Sequence, residues 1–245
     1  MDRRAGGLLA TVLLAGCGGS ETPAPERKAP APAPAFRTAV GPDDERPRGR
    51  WLTARLLEPT RLRAAPGGRS LARLDRRTEF GSPTVLSVVG RRGGWLKVVA
   101  AERPNGRFGW ILAERARLGA TDVSLHVDRS RRRLVVRRGS QVLRRLPVAV
   151  GRPATPTPTG RFAVTDRLRP RRADSPYGCC ALALSGHQRK LLPGWPGGDR
   201  LALHGTPQPE TIGRAVSLGC MRAPERDLRV LLRQVPLGAP VFVTA

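Results

Sequence analysis

The sequence predicts a mainly β protein: two folded β units with one or two short helices, behind an N-terminal stretch that cannot build a core. Three observations predict it. From Trp51 onward the apolar residues come in short alternating bursts, the period-two pattern of strands. The 28 glycines and 24 prolines among 245 residues fall between these bursts and punctuate them as turns. Aromatic residues make up only 4%, and helical spacing is confined to one segment near the end. The 40% hydrophobic content is enough for real cores. No run of about 18 apolar residues occurs, which excludes a polytopic membrane protein.

The 44 Lys and Arg against 19 Asp and Glu leave a formal charge of +25. Only Lys28, Lys97 and Lys190 are lysines; the remaining cations are arginines distributed along the whole chain. A specific nucleic-acid binder concentrates its charge on one element with aromatics or a known motif beside it, and neither is present. What the excess implies is attraction to polyanions in general, anionic lipid headgroups and anionic wall polymers included.

The N-terminus has the layout of an export signal. Arg3 and Arg4 precede an apolar stretch too short to span a bilayer, which ends in Leu14-Ala15-Gly16-Cys17. These small residues before Cys17 resemble the bacterial lipobox, in which the cysteine is diacylated and becomes the new N-terminus. The alternative is an ordinary signal peptide cut near the same place. The resemblance implies a signal at 1–16, lipidation of Cys17, and anchoring on the outer face of the bacterial plasma membrane, facing the wall. Residues 17–50 then read as an Ala/Pro-rich linker, extended and without a core.

From Trp51 to about Leu118, the turn signals Pro66-Gly67-Gly68, Gly93-Gly94 and Asn105-Gly106 separate short strands of a small antiparallel β unit, and Asn105-Gly106 is a hairpin signal. Leu62-Arg63-Ala64-Ala65-Pro66-Gly67-Gly68, Gly94-Trp95-Leu96-Lys97-Val98 and Asn105-Gly106-Arg107-Phe108-Gly109-Trp110-Ile111 resemble the bacterial SH3-like domains found beside wall-active enzymes. That likeness implies a small barrel over 51–118 that binds a peptide or glycan of the wall. Trp95 and Trp110 are expected in its core.

Over 121–245 the strands lengthen. Val123 to Val127 alternates, Leu134-Val135-Val136 follows a basic turn, and Val142 to Val150 follows Gly139-Ser140, giving an antiparallel meander. A rigid turn-rich loop at 151–160 leads into Arg161-Phe162-Ala163-Val164. Leu228, Leu231, Leu232 and Val235 share one helix face, with Pro224 near the start and Pro236 and Gly238 beyond the end. Pro240-Val241-Phe242-Val243 closes the chain as a strand.

Cysteine is sparse, and an unpaired cysteine in an exported protein is a candidate reactive thiol. Cys220 stands alone in Ser217-Leu218-Gly219-Cys220-Met221-Arg222. A nucleophilic cysteine needs a base, oxyanion donors and access. Sixteen residues upstream, His204 follows the strand-like Leu201-Ala202-Leu203. Gly219 lets the backbone turn tightly, so the amides of Leu218, Gly219 and Cys220 can serve as oxyanion donors. The helix that follows places its positive end near the thiol. The competing reading makes Cys220 a small buried hydrophobe and His204 a hydrogen-bonded core histidine; spacing alone does not separate the two.

His204-Gly205-Thr206, the sixteen-residue spacing, and Ser217-x-Gly219-Cys220-Met221-Arg222 resemble the signature of the L,D-transpeptidase catalytic domain, as Thr155-Pro156-Thr157-Pro158-Thr159-Gly160-Arg161-Phe162 resembles its upstream loop and strand. The resemblance implies a β-sandwich fold in which Cys220 attacks the carbonyl between the third and fourth residues of a peptidoglycan stem peptide and D-alanine leaves. Attack on the thioester by the amine of a neighbouring stem then gives a 3→3 cross-link, without metal or organic cofactor; attack by water makes an L,D-carboxypeptidase instead. By the same resemblance His204 is the base, Arg222, Gly205, Thr206 and Tyr177 face the substrate, and Ser217, Leu218 and Gly219 support the loop. Leu218 departs from the histidine that many members carry directly before the glycine. Adjacent Cys179 and Cys180 make poor metal ligands, since a strand points them to opposite faces, and they read as structural or free thiols, with a vicinal disulfide or oxidation of one with Cys220 as the alternative. His126 reads as a packed or edge residue and His187 as an exposed loop residue. A non-catalytic wall-binding lipoprotein, with Leu218 marking a dead site, is the alternative; a papain-like peptidase is disfavoured because that family's cysteine motif and Cys-before-His order are absent.

Overall fold

The computed structural model describes residues 50–245 apart from 173, 192–193 and 195–197; the signal and lipobox readings lie outside the described residues. The fold is mainly β, as the alternation requires. The first unit is a seven-stranded antiparallel sheet of β1 (Trp51–Leu56), β2 (Thr60–Arg63), β3 (Ser70–Leu74), β4 (Val85–Arg92), β5 (Trp95–Val99), β6 (Gly109–Leu112) and β7 (Ala116–Thr121), in the order β3-β2-β6-β5-β4-β1-β7. Its last strand runs three residues past Leu118.

This core is aliphatic: Leu56, Leu62, Leu74, Leu86, Val88, Leu96, Val98 and Ile111 are buried together. The expectation of core tryptophans is corrected by strand parity. Leu96 and Val98 point inward on β5 and Ile111 on β6, so Trp95 and Trp110 fall on the opposite face and stay half-buried. Gly93-Gly94 is the tight turn, because Arg92 pairs directly with Trp95. Asn105-Gly106 lies instead in the longer connection between β5 and β6. The Asn105 side chain is diverted to the second unit, where Nδ2 donates to His187 O at 2.7 Å and Oδ1 accepts from His187 N at 2.9 Å.

The second unit contains β8 (Val123–Asp128), β9 (Arg133–Arg138), β10 (Gln141–Pro147), β11 (Val150–Gly151), β12 (Gly160–Leu168), β13 (Ala181–His187), β14 (Arg200–His204), β15 (Ala215–Ser217), β16 (Met221–Arg222), α1 (Glu225–Gln234) and β17 (Pro240–Thr244). The meander β8-β9-β10 forms as expected, but its third strand stops at Pro147 instead of running to Val150, where the chain leaves the sheet as β11 to pair with β15. The final strand inserts between β8 and β12, parallel to the first and antiparallel to the second, so the sheet runs β10-β9-β8-β17-β12-β13-β14-β16. A register shift between Val164 and Asp166 bends β12, which re-aims the second half of the sheet. Residues of both halves and of α1 bury a single core that includes Leu125, Val136, Val164, Leu182, Leu203 and Met221. Leu228, Leu231 and Leu232 are the buried face of α1. No helix of the described residues is long and apolar enough to cross a membrane.

Polar contacts join the units. Arg200 reaches Glu79 and also donates from Nη2 to Thr165 Oγ1 at 3.0 Å. Asp166, fully buried, accepts from Thr78 Oγ1, while its Oδ2 has no hydrogen-bond partner among the described residues. Removing the hydroxyl leaves a buried carboxylate without that donor, at a cost of about 2 kcal/mol. Thr78→Val is therefore expected to lower the melting temperature by roughly 4–8 °C, measured by calorimetry, whereas the exposed Arg73→Gln leaves it unchanged within about 1 °C.

Candidate active site

The site gathers at the end of β14 and the loop from β15 to β16. Parallel pairing of β14 with β16 sets Leu203 opposite Met221 and His204 opposite Arg222, which brings Cys220 beside the β14 backbone. One cavity is lined by Tyr177, Gln188, Arg200, His204, Ser217, Leu218, Cys220 and Arg222. Thus the two residues separated by sixteen positions in sequence share one pocket, with the tyrosine and arginine of the motif beside them.

His204 is 4% exposed. Its Nδ1 lies 2.5 Å from Gly205 O, a geometry that assigns the ring proton to Nδ1 as donor and leaves the Nε2 lone pair available. Tyr177 meets the imidazole edge-on, with centroids 5.0 Å apart. Burial pulls the imidazole pKa down to about 4, and the nearby Arg222 charge acts in the same direction against the opposing effect of the Gly205 bond. The ring is therefore neutral throughout the physiological range, with its Nε2 lone pair unprotonated.

Burial likewise holds the Cys220 thiol above the usual range, opposed by an amide bond from Ala202 and by Arg222. Its Sγ lies 3.8 Å from Arg200 O and donates to it. The resting pair is thus neutral thiol and neutral imidazole. Burial and the neighbouring Cys179 push Cys180 up to about 12, so Cys180, with no exposed surface, is inert. Cys179, Cys180 and Cys220 are all free thiols.

Because the His204 pKa is lowered from its ordinary 6.5, the unfolded chain binds more protons than the native state between about pH 4 and 6.5. Its contribution to stability is complete above pH 6.5 and is lost as pH falls towards 4, by up to roughly 3 kcal/mol. Urea unfolding at pH 7 and pH 4.5 is expected to show a difference that His204→Asn reduces by about 2 kcal/mol; an unchanged difference in the variant contradicts this account.

The loop bearing Cys220 is held by its carbonyls. Thr155 Oγ1 donates to Ser217 O at 3.1 Å, Gln188 Nε2 to Leu218 O at 2.9 Å, Thr157 Oγ1 to Gly219 O at 2.8 Å, and Ser217 Oγ to Cys220 O at 2.5 Å. Four successive acceptors are therefore each bound by a side chain. Ser217 Oγ also accepts from Gly219 N at 3.1 Å, so that amide is already engaged. Gly219 has φ +125°, and a Cβ there would lie 1.9 Å from Gln188 Nε2; both facts require glycine. Thr157 Oγ1 accepts from Gly151 N at 2.8 Å, which ties the Thr-Pro loop to β11.

Residues 122–243 match the family model YkuD, L,D-transpeptidase catalytic domain. This segment belongs to the L,D-transpeptidase family. The YkuD protein of Bacillus subtilis is 35% identical over 104 residues, 42% of this chain and 55% of that protein. Its counterpart in Bacillus licheniformis is 34% identical over 104 residues, covering 42% and 54%. The chain thus spans about half the length of these relatives. An L,D-transpeptidase from Mycobacterium smegmatis shares 18% identity and a TM-score of 0.43, over 65% of this chain and 82% of that one.

In the L,D-transpeptidase domain, Arg222 donates from Nη1 to Gln208 Oε1 at 3.3 Å, while Thr206 Oγ1 accepts from Gln208 N at 3.1 Å. Gly205 sits where a Cβ would crowd Cys179 N, Glu225 Oε1 and Tyr177 O at 3.1–3.2 Å. His187 ends β13 rather than lying in an exposed loop; its Nδ1 is 3.0 Å from Asp199 and its Nε2 2.5 Å from Ala101 O. His126 stacks on Phe242, centroids 5.0 Å apart, remote from the motif in sequence and on the opposite half of the sheet.

Sequence reasoning missed Gln188, Arg200 and Glu225. Glu225 Oε1 accepts from Cys179 N at 2.8 Å, and Oε2 pairs with Arg229 at 2.9 Å, joining the helix start to the strand entry. None of the three carries a motif. The one signal that could have found Glu225 is an acidic residue in the first turn of the expected helix.

Proposed function

We propose that the chain is a peptidoglycan L,D-transpeptidase that forms 3→3 cross-links through a Cys220 thioester with release of D-alanine. The observation that supports this most directly is the shared pocket of Cys220 and a neutral His204 whose Nδ1 is fixed by Gly205 O. Acylation begins as the thiol proton leaves Arg200 O for His204 Nε2 and the sulfur attacks the carbonyl preceding D-alanine. With the Gly219 amide given to Ser217, the amides of Leu218 and Cys220 take the developing oxyanion. Arg222, Tyr177, Gly205 and Thr206 then position the stem peptide. The protonated imidazole passes its proton to the departing amine, and the neutral ring afterwards accepts one from the incoming diamino acid.

In this reading Leu218 contributes its backbone only, so a side chain other than histidine is tolerated. The 51–118 unit acts as an SH3-like module that holds the enzyme on the wall. The signal at 1–16 and lipidated Cys17 place it on the outer face of the membrane. Incubation with tetrapeptide muropeptides and mass spectrometry of the products tests the proposal. A dimer lacking one D-alanine is expected; monomeric tripeptide would convert the reading to L,D-carboxypeptidase, and unchanged substrate would replace it with the wall-binding lipoprotein.

A further inference from the structure

The first unit contains a second concavity, of about 600 Å³, lined by Arg55, Leu56, Leu57, Arg76, Arg77, Pro83 and Arg117. Four arginines and no carboxylate face it. Antiparallel pairing sets Arg55 directly opposite Arg117 on β1 and β7, both exposed. Like charges in directly opposed positions destabilise a sheet. The fold does not need them there, because Ala54 and Leu56 on the other parity supply the core.

Some arginines elsewhere are neutralised, Arg73 by Asp75, Arg115 by Glu58, Arg144 by Asp227 and Arg200 by Glu79, and others stand singly on the surface. Among the described residues, none of the four cavity arginines has a carboxylate within ion-pair distance. Their only side-chain bond here runs from Arg77 Nη1 to Gly81 O at 2.6 Å. Four uncompensated guanidinium groups around one opening form an anion site whose repulsion is relieved by a ligand.

We propose that this groove binds a flexible polymer of repeating phosphodiester groups, with adjacent phosphates held by the pairs Arg55 with Arg117 and Arg76 with Arg77. One phosphodiester carries a single charge and engages one such pair, so four guanidinium groups fit consecutive groups on a chain better than a lone anion. The apolar lining is Leu56, Leu57 and Pro83, with no aromatic platform on which bases would stack, which sets nucleic acid aside. A concave wall is also the wrong shape for a flat lipid surface. The site lies in the first unit and is independent of the Cys220 chemistry.

The test uses the full-length chain and a fluorescent synthetic oligo(glycerol phosphate), followed by anisotropy over a range of salt concentrations. Arg55→Gln/Arg117→Gln is expected to weaken binding about tenfold and to reduce the salt slope by roughly 1.5. The control Arg133→Gln/Arg145→Gln removes the same charge from exposed positions of the second unit and is expected to change affinity less than twofold. Equal losses in the two variants would mean diffuse attraction and overturn the proposal. So would equal affinity for an oligoglutamate of matched charge, tenfold tighter binding of a matched single-stranded oligonucleotide, or arginine-dependent binding to phosphatidylglycerol vesicles without binding to the oligomer. Unchanged circular dichroism of both variants verifies that folding is intact.

Discussion

Cys220→Ala is expected to abolish release of D-alanine and all covalent labelling by a carbapenem, a loss on the order of 10⁴-fold or more in turnover. In the proposed mechanism the sulfur that alanine removes is the atom that forms the acyl bond. Cys180→Ala is expected to retain activity within about threefold, because a fully buried thiol with a strongly raised pKa presents no thiolate. The resting state makes a further distinction. Since Cys220 is held as a thiol by burial, alkylation by iodoacetamide should be slow at pH 7 and accelerate as pH rises, whereas a preformed thiolate–imidazolium pair would react at a nearly constant rate. Intact-mass measurements across pH 6–9 read the difference; a flat profile would show that the buried neutral pair is not the reactive state.

Gly219→Ala should be the most damaging change that leaves the reacting groups in place, lowering acylation by about 100-fold or more. The new Cβ would overlap the Gln188 amide, 1.9 Å away, and the backbone would have to leave φ +125°. Either movement shifts the neighbouring Cys220. The two causes are separable. Gln188→Ala removes the overlap but not the dihedral requirement, so adding it to Gly219→Ala is expected to restore less than about tenfold of the lost rate. Gln188→Ala alone frees only one of the four held carbonyls and is expected to reduce acylation by about tenfold, with Gln188→Glu failing to restore it because a carboxylate oxygen cannot donate to Leu218 O. Full recovery in the double variant would assign the whole effect to crowding.

Much of this was legible in the sequence because it was local. Alternation fixed β8 and β9, the leucine spacing marked α1, and glycine beside cysteine identified a sharp loop. Parity on β5 and β6 was equally available and, applied to Leu96, Val98 and Ile111, places Trp95 and Trp110 outside the core; their size made them attractive as core residues all the same. Asn105-Gly106 has the chemistry of a two-residue turn, but the bonds from its side chain to His187 serve a contact between units that no local pattern encodes. Gln188 was illegible for the same reason. Its amide nitrogen meets Leu218 O thirty residues downstream and Thr155 O and Pro156 O over thirty residues upstream, and a polar residue after a strand carries no mark of what it will reach. The Thr-Pro loop was visible as a motif, whereas the pairing of its hydroxyls with Ser217 O and Gly219 O becomes apparent only when the loops meet.

The position of β17 sets an order on biosynthesis. This strand lies between β8, about 115 residues earlier in the chain, and β12, so the sheet has a missing central member until residues 240–244 have been made. Before then the inner edges of β8 and β12 lack their partner, and the half of the sheet that carries His204 and Cys220 is not joined to the meander. A nascent chain can complete its first unit early, but the sheet around the Cys220 pocket closes only after residues 240–244 have been made.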